Sequence, residues 1–268
     1  MAAISALLLI AAASNAVSKG SGSIYISAKS AIIIDARTKK ILYAKNTNLR
    51  IPPASTAKVM TALLVLEKIN LDKMITVSKK AADVEPSKAG LKRGVQYRAG
   101  DLLAACLMAS SNDASIALAE EVAGSESEFV KLMNEKAEKS GMKNTCFVNA
   151  TGLPSKKIKQ YSTVFDLAQM MRHALSEPKI VELMNTKEKV ITGANGKKIR
   201  LRNHNKMLWK KPKAVIGKTG YTMKSRHCFT GAAFSGGRRK IIFAVLSSRK
   251  LWQDLSILVN YGLYKSKR

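Results

Sequence analysis

Cysteine, histidine and acidic side chains are all scarce in this sequence, and each shortage closes off a class of function. The three cysteines, Cys106, Cys146 and Cys228, lie far apart in apolar surroundings, with neither a CxxC pair nor the spacing of a dense disulfide framework. They are expected to behave as small buried hydrophobes. A single Cys146–Cys228 bridge is the one pairing left open, and the odd count leaves at least one free thiol. The three histidines, His173, His204 and His227, form no HExxH motif and accompany no GxSxG nucleophile elbow. Clustered metal ligands are missing as well, so no metal or other cofactor is expected. Gly217-Lys218-Thr219 resembles the end of a phosphate-binding loop, but Pro212 stands where that motif needs glycine.

No run in the N-terminal region is apolar for long enough to span a bilayer. Ile4 to Ala13 is a ten-residue stretch that is apolar except for Ser5, and it is followed by Ser14-Asn15-Ala16. That reads as the h-region and cleavage site of a secretory signal peptide over residues 1–16, although the first basic residue is Lys19. The competing reading is a buried N-terminal helix. Gly20-Ser21-Gly22-Ser23 marks a linker, taken as residues 17–29, ahead of a single core over residues 30–268.

The shortage of acid is best seen against the 46 Lys and Arg. With 18 Asp and Glu the net charge is +28, spread over several clusters rather than one tract. Such a surface is drawn to polyanions. Export argues against nucleic acid and for anionic envelope polymers or lipid headgroups; a solvated basic surface with no dedicated partner is the plainer alternative.

Among the elements, Ser30 to Ala36 and Ile41 to Lys45 form a predicted hairpin through Arg37-Thr38-Lys39. A helix follows Ser55, with Val59, Met60, Leu63, Leu64 and Leu66 on a face broad enough for a central, mostly buried helix. Short Met74–Val77 reads as a strand, and a helix opens at Gly100-Asp101 and breaks at Ser110-Ser111-Asn112-Asp113. Helices are then expected from Ala114 to Val122 and from Glu126 to Lys139, the latter capped by Ser125 and ended by Gly141. Ser162–Leu175 and Pro178–Met184 read as helices, and residues 190–202 as a hairpin. Strands at Cys228–Phe234 and Ile241–Ser247, joined through Ser235-Gly236-Gly237, and a last helix from Leu251 to Tyr264 complete the chain.

The chemistry concentrates at Pro53-Ala54-Ser55-Thr56-Ala57-Lys58. Residues three apart share a helix face, so the Lys58 ammonium and the Ser55 hydroxyl can meet, and the first-turn N–H groups favour negative charge developing there. A serine needs its proton removed before it can attack, and a lysine performs that step only if its pKa falls by about 3 units. Two further short motifs suit this pair: Ser110-x-Asn112 and Lys218-Thr219-Gly220. Read alone, Ser110 to Asp113 is more readily an N-cap for the next helix.

Together the three motifs resemble the serine penicillin-recognising enzymes, and within them the low-molecular-mass D-alanyl-D-alanine carboxypeptidases of peptidase family S11. The likeness runs from about Ile32 to Tyr264 through PASTAK, MASSNDA, NATGL at Asn149–Leu153, YST at Tyr161–Thr163, NHNKML at Asn203–Leu208 and GKTGYT. It implies a β-lactamase/transpeptidase-like α/β (α+β) fold: a central antiparallel five-stranded sheet flanked by helices, with a helical subdomain at about residues 78–187. It implies an acyl-enzyme on Ser55, with Lys58 as base, Ser110 relaying a proton to the leaving amine and Asn112 holding the substrate backbone. Thr219, Gly220 and Tyr221 would align the peptide, and the N–H groups of Ser55 and Tyr221 would hold the oxyanion. Lys218 and Thr219, with Arg249, would receive the terminal carboxylate. The implied partners are peptidoglycan stem peptides ending in D-Ala-D-Ala and β-lactam antibiotics as covalent inhibitors, outside the cytoplasmic membrane. The sequence stops at Arg268 without the β-rich second domain and amphipathic anchor of many relatives, so a charge-held attachment to the wall is the expectation.

Three other readings are weighed against this. A β-lactamase needs a carboxylate for deacylation, and residues 161–190 show no Glu-x-x-Leu-Asn arrangement. A D,D-endopeptidase would share every motif. A non-catalytic wall-binding protein would be expected to carry a disrupted motif, and all three are intact.

Overall fold

The computed structural model describes residues 24–266 except 157, 210–213 and 236–238. The chain opens with β1 (Ser30–Asp35) and β2 (Ile41–Lys45), the hairpin predicted above. Asp35 Oδ1 closes its turn by accepting the N–H groups of Arg37 and Thr38. A 3-10 turn at Ala54–Ala57 runs directly into α1 (Lys58–Lys68). Next come β3 (Met74–Thr76), α2 (Lys79–Asp83) and β4 (Gln96–Arg98), β3 pairing with β4. Five helices follow: α3 (Ala99–Met108), α4 (Asn112–Ala123), α5 (Glu126–Lys139), α6 (Val164–Ala174) and α7 (Pro178–Asn185). A separate hairpin of β5 (Glu188–Thr192) and β6 (Lys198–Arg202) precedes β7 (Ala214–Thr222), β8 (Arg226–Ser235), β9 (Arg239–Ser248) and α8 (Leu251–Lys265).

The main sheet has five antiparallel strands in the order β2-β1-β9-β8-β7, so β7 is an edge. Strand side chains alternate between faces, and the sheet uses both. On β9, Ile242, Ala244 and Leu246 join the core built around α1, α3, α4 and α6, while Ile241, Phe243 and Val245 join the one under α8. The α8 stripe is Leu251, Leu255, Leu258, Val259 and Leu263, the spacing of one helix face. Each such aliphatic side chain taken fully out of water contributes about 1.5–3 kcal/mol. Residues 58–65 of α1 are all buried and Leu66 is half-buried, which makes α1 the central helix its apolar pattern predicted.

Several expectations are corrected. Helix α4 starts at Asn112, two residues before the predicted Ala114. Asn112 and Asp113 therefore belong to its first turn, and Ser111 occupies the cap position without a side-chain capping bond. All three cysteines are free, so the Cys146–Cys228 bridge is absent. Cys106 and Cys228 are buried, but Cys146 is only half-buried. Residues 24–29 do not behave as a linker: Ile26 and Ala28 are buried, and Ser27 Oγ donates to Asp254 Oδ2 at 2.8 Å. The predicted signal peptide and the Gly236-Gly237 turn lie outside the described residues.

Candidate active site

Ser55 sits in the 3-10 turn that launches α1, and two glycines clamp that turn from opposite sides. A Cβ on Gly220 of β7 would lie 2.9 Å from the Ser55 nitrogen, and one on Gly152 would lie 1.9 Å from the Ala54 carbonyl oxygen. Only a residue without a side chain lets backbone approach this closely. Ala54 itself is held at φ +50, an uncommon conformation for alanine that the surrounding packing enforces.

Lys58, the first residue of α1, is wholly buried, and its amine meets three oxygens. It donates to Asn112 Oδ1 at 2.6 Å and to the Thr151 carbonyl at 2.7 Å, and lies 3.0 Å from Ser55 Oγ. The Asn112 amide is oriented by its other end, which donates to the Pro86 carbonyl, so its oxygen faces Lys58. One Asn112 amide hydrogen remains for another acceptor. A neutral amine with its two N–H groups taken by Asn112 and Thr151 presents its lone pair to the Ser55 hydroxyl. Burial pushes Lys58 from the usual 10.5 down to about 8, against a smaller opposing pull from Cys106 and Asp113.

The segment opposite Asn112 is tied down by Asp113, a fully buried carboxylate that accepts the N–H groups of Ala89, Gly90 and Leu91 as well as that of Ala114. Because residues 86 and 87 hold Asn112 through their carbonyls, Asp113 positions Asn112 indirectly.

Ser110 follows α3 in the left-handed region at φ +59 and is 5% exposed. Its hydroxyl accepts from Lys218 Nζ at 2.8 Å, and Lys218 also donates to the Thr219 carbonyl at 3.0 Å. Lys218, 1% exposed, is driven well below the usual lysine range by burial first and by the Lys58 cation second. Two buried amines beside one cleft do not both carry charge comfortably. His204, at the cleft edge with part of its surface exposed, is lowered to about 4 by desolvation, then by Lys218 and Lys58, and so stands neutral at neutral pH.

Six predicted residues, Ser55, Lys58, Ser110, Asn112, Lys218 and Gly220, are thus brought together. Thr219 is half-buried next to them on β7. Tyr221 is 53% exposed, its ring 4.7 Å from that of His227. Arg249, just past the end of β9, is exposed, and among the described residues its guanidinium forms no hydrogen bond or ion pair. Sequence reasoning missed the Thr151 carbonyl as a ligand of Lys58. It is presented by a turn in which Asn149 Oδ1 accepts from the N–H of Gly152 at 2.8 Å and the Thr151 hydroxyl at 2.9 Å. The signal was available, since Asn-x-Thr-Gly is turn chemistry with a glycine where φ reaches +82.

The profile described as D-alanyl-D-alanine carboxypeptidase matches residues 14–250. Over 80% of its length the chain is 39% identical to the D-alanyl-D-alanine carboxypeptidase DacF of Bacillus subtilis, spanning 56% of that protein. It is 33% identical to a D-alanyl-D-alanine endopeptidase of Pseudomonas aeruginosa over 74% of its length, spanning 64% of that relative. The crystal structure of a D-alanyl-D-alanine carboxypeptidase from Mycobacterium tuberculosis superposes with a TM-score of 0.84 at 29% identity, covering 91% of this chain and 94% of that one.

Proposed function

The chain belongs to the D-alanyl-D-alanine carboxypeptidase family, and from that we propose that it is a serine D-Ala-D-Ala carboxypeptidase, acylated on Ser55, that releases the terminal D-alanine of peptidoglycan stem peptides. The observation that carries the reading is the buried Lys58 amine, committed to Asn112 and Thr151 and turned to the Ser55 hydroxyl.

In this reading Lys58 takes the Ser55 proton as Oγ attacks the carbonyl carbon between the two D-alanines. The negative charge that forms on the carbonyl oxygen is met by the N–H groups of Ser55 and Tyr221, each such donor being typically worth about 3 kcal/mol. Ser110, supplied through Lys218, gives a proton to the departing amine, and D-alanine leaves. Water then attacks the ester and restores Ser55. As the sheet edge, β7 has backbone groups free to align an extended peptide, and the bare Gly220 admits it. The terminal carboxylate lies against Lys218 and Thr219, with Arg249 as a further cation. β-Lactams enter the same steps and stop at the acyl-enzyme.

The likeness to the Pseudomonas endopeptidase favours a second reading, cleavage of D-alanyl cross-links. Incubation with a pentapeptide ending in D-Ala-D-Ala and with cross-linked muropeptides separates the two. Release of free D-alanine supports the carboxypeptidase, and cleavage of cross-links alone replaces it with the endopeptidase. The N-terminal apolar run supports export, and among the described residues no helix is long and apolar enough to cross a membrane. The +28 charge supports retention at an anionic wall by contacts that salt screens.

A further inference from the structure

A cavity of about 320 Å³ lies beside the Ser55 turn, between residues 152–155 and 158–161 on one side and the β7–β8 connection on the other. Gly152, the residue pressed against Ala54 and Ser55, forms part of its wall, and Thr222, two residues past Gly220 on β7, forms another part. Among the described residues three cations line it, Arg50, Lys159 and Lys224, and no acidic residue does. Arg50 is set in place by neutral groups only. Its guanidinium stacks 4.8 Å from the centre of the Tyr161 ring and donates to Asn144 Oδ1 at 2.8 Å. Neither contact cancels its charge. Among the described residues Lys159 and Lys224 make no ion pair either. Cations brought together without a counter-charge repel one another, so an anion entering the cavity relieves that repulsion as well as gaining its own attraction.

The direction of the substrate leads here. With its terminal carboxylate at Lys218 and Thr219 and its scissile carbonyl at Tyr221, a peptide running antiparallel along β7 continues past Thr222. At roughly 3.3 Å per residue, the residue before D-Ala-D-Ala arrives at the cavity mouth. We propose that this cavity is a subsite for a free carboxylate borne by the residue that precedes D-Ala-D-Ala, so that the enzyme favours stem peptides in which that group is unamidated. The inference rests on the carboxypeptidase reading above.

The test compares two peptides ending in D-Ala-D-Ala that differ only in carrying a side-chain carboxylate or its carboxamide at the preceding residue. The wild-type protein is expected to favour the carboxylate by about tenfold in kcat/KM, mostly through KM, with the preference shrinking at high salt. In Lys159→Ala/Lys224→Ala the preference falls toward one, while circular dichroism and a thermal midpoint report that the variant is folded. Equal efficiency on both peptides, or a preference that survives the double substitution, sinks the subsite while leaving the reaction class intact. Release of D-alanine from neither peptide sinks the carboxypeptidase reading and the subsite with it.

Discussion

The Lys218 amine lies 2.8 Å from the Ser110 hydroxyl, joining a β-strand to the end of a helix 108 residues away, and both side chains are buried. In the proposed reaction that link places a hydroxyl of restricted orientation where the leaving amine departs. Ser110→Ala is therefore expected to lower D-alanine release by about 10²–10⁴-fold, the usual range for a positioned proton donor. It leaves the Lys218 amine one partner short at a cost of about 1–3 kcal/mol. Steady-state kinetics and urea unfolding measure the two effects. Full activity in the variant would mean that the proton reaches the amine by another route.

Replacing Lys58 by Met keeps the bulk of the buried stem and removes the proposed base. Acylation by labelled penicillin should fall by at least about 10³-fold, with the residual adduct still on Ser55 by mass spectrometry. An adduct on Ser110 would reverse the assignment of nucleophile.

The pH profile follows from the same residue. A buried lysine lowered to about 8 is neutral, and so able to act as a base, above that pH rather than above 10.5. Acylation should rise about tenfold per pH unit in the region below 8 and level off above it. Between about 8 and 10.5 the unfolded chain holds a proton that folded Lys58 has lost, so this residue makes folding stability rise with pH across that window. His204, lowered to about 4, adds no step in the neutral range, and His204→Gln should leave the limb near 8 in place. A profile flat through 8 would point to a different base.

Gly152→Ala tests the clamp on the nucleophile turn. Its Cβ would need to sit 1.9 Å from the Ala54 oxygen, so the backbone must move. A loss above about 3 kcal/mol is expected, together with lost acylation. Gly124→Ala serves as the control: φ there is also positive, at +74, but nothing lies within 4 Å, and the cost should stay near about 1 kcal/mol. Equal costs at both sites would mean that conformation, not contact, sets the requirement at Gly152.

Much of this architecture was legible because local pattern and tertiary demand agree. The short continuous apolar run in SAIIIDA, the broad apolar face after Ser55 and the Ser125 and Gly141 signals around α5 each specify an element by short-range physics. The start of α4 was misplaced because Asn112 and Asp113 are residues that usually cap from outside. Here their side chains are spent on Lys58 and on the backbone of residues 89–91, contacts that no local window contains. For the same reason a backbone carbonyl such as that of Thr151 carries no side-chain signature. Its role appears only once the turn at Asn149 is folded against α1. The packing of residues 24–29 was hidden by the adjacent Gly-Ser run, which masked the apolar Ile26 and Ala28.

The position of β7 at the sheet edge bears on how the protein behaves in concentrated solution. A strand ready to align an extended peptide is equally ready to align the corresponding strand of a second molecule, the usual route to edge-to-edge association. At a net charge of +28, two copies repel before their edges meet, so the basic surface acts as a colloidal stabiliser of its own open edge. Salt near 1 M shortens the screening length to about 3 Å and removes that protection. Dimers should then accumulate, and acylation by a β-lactam, which fills the edge, should disperse them.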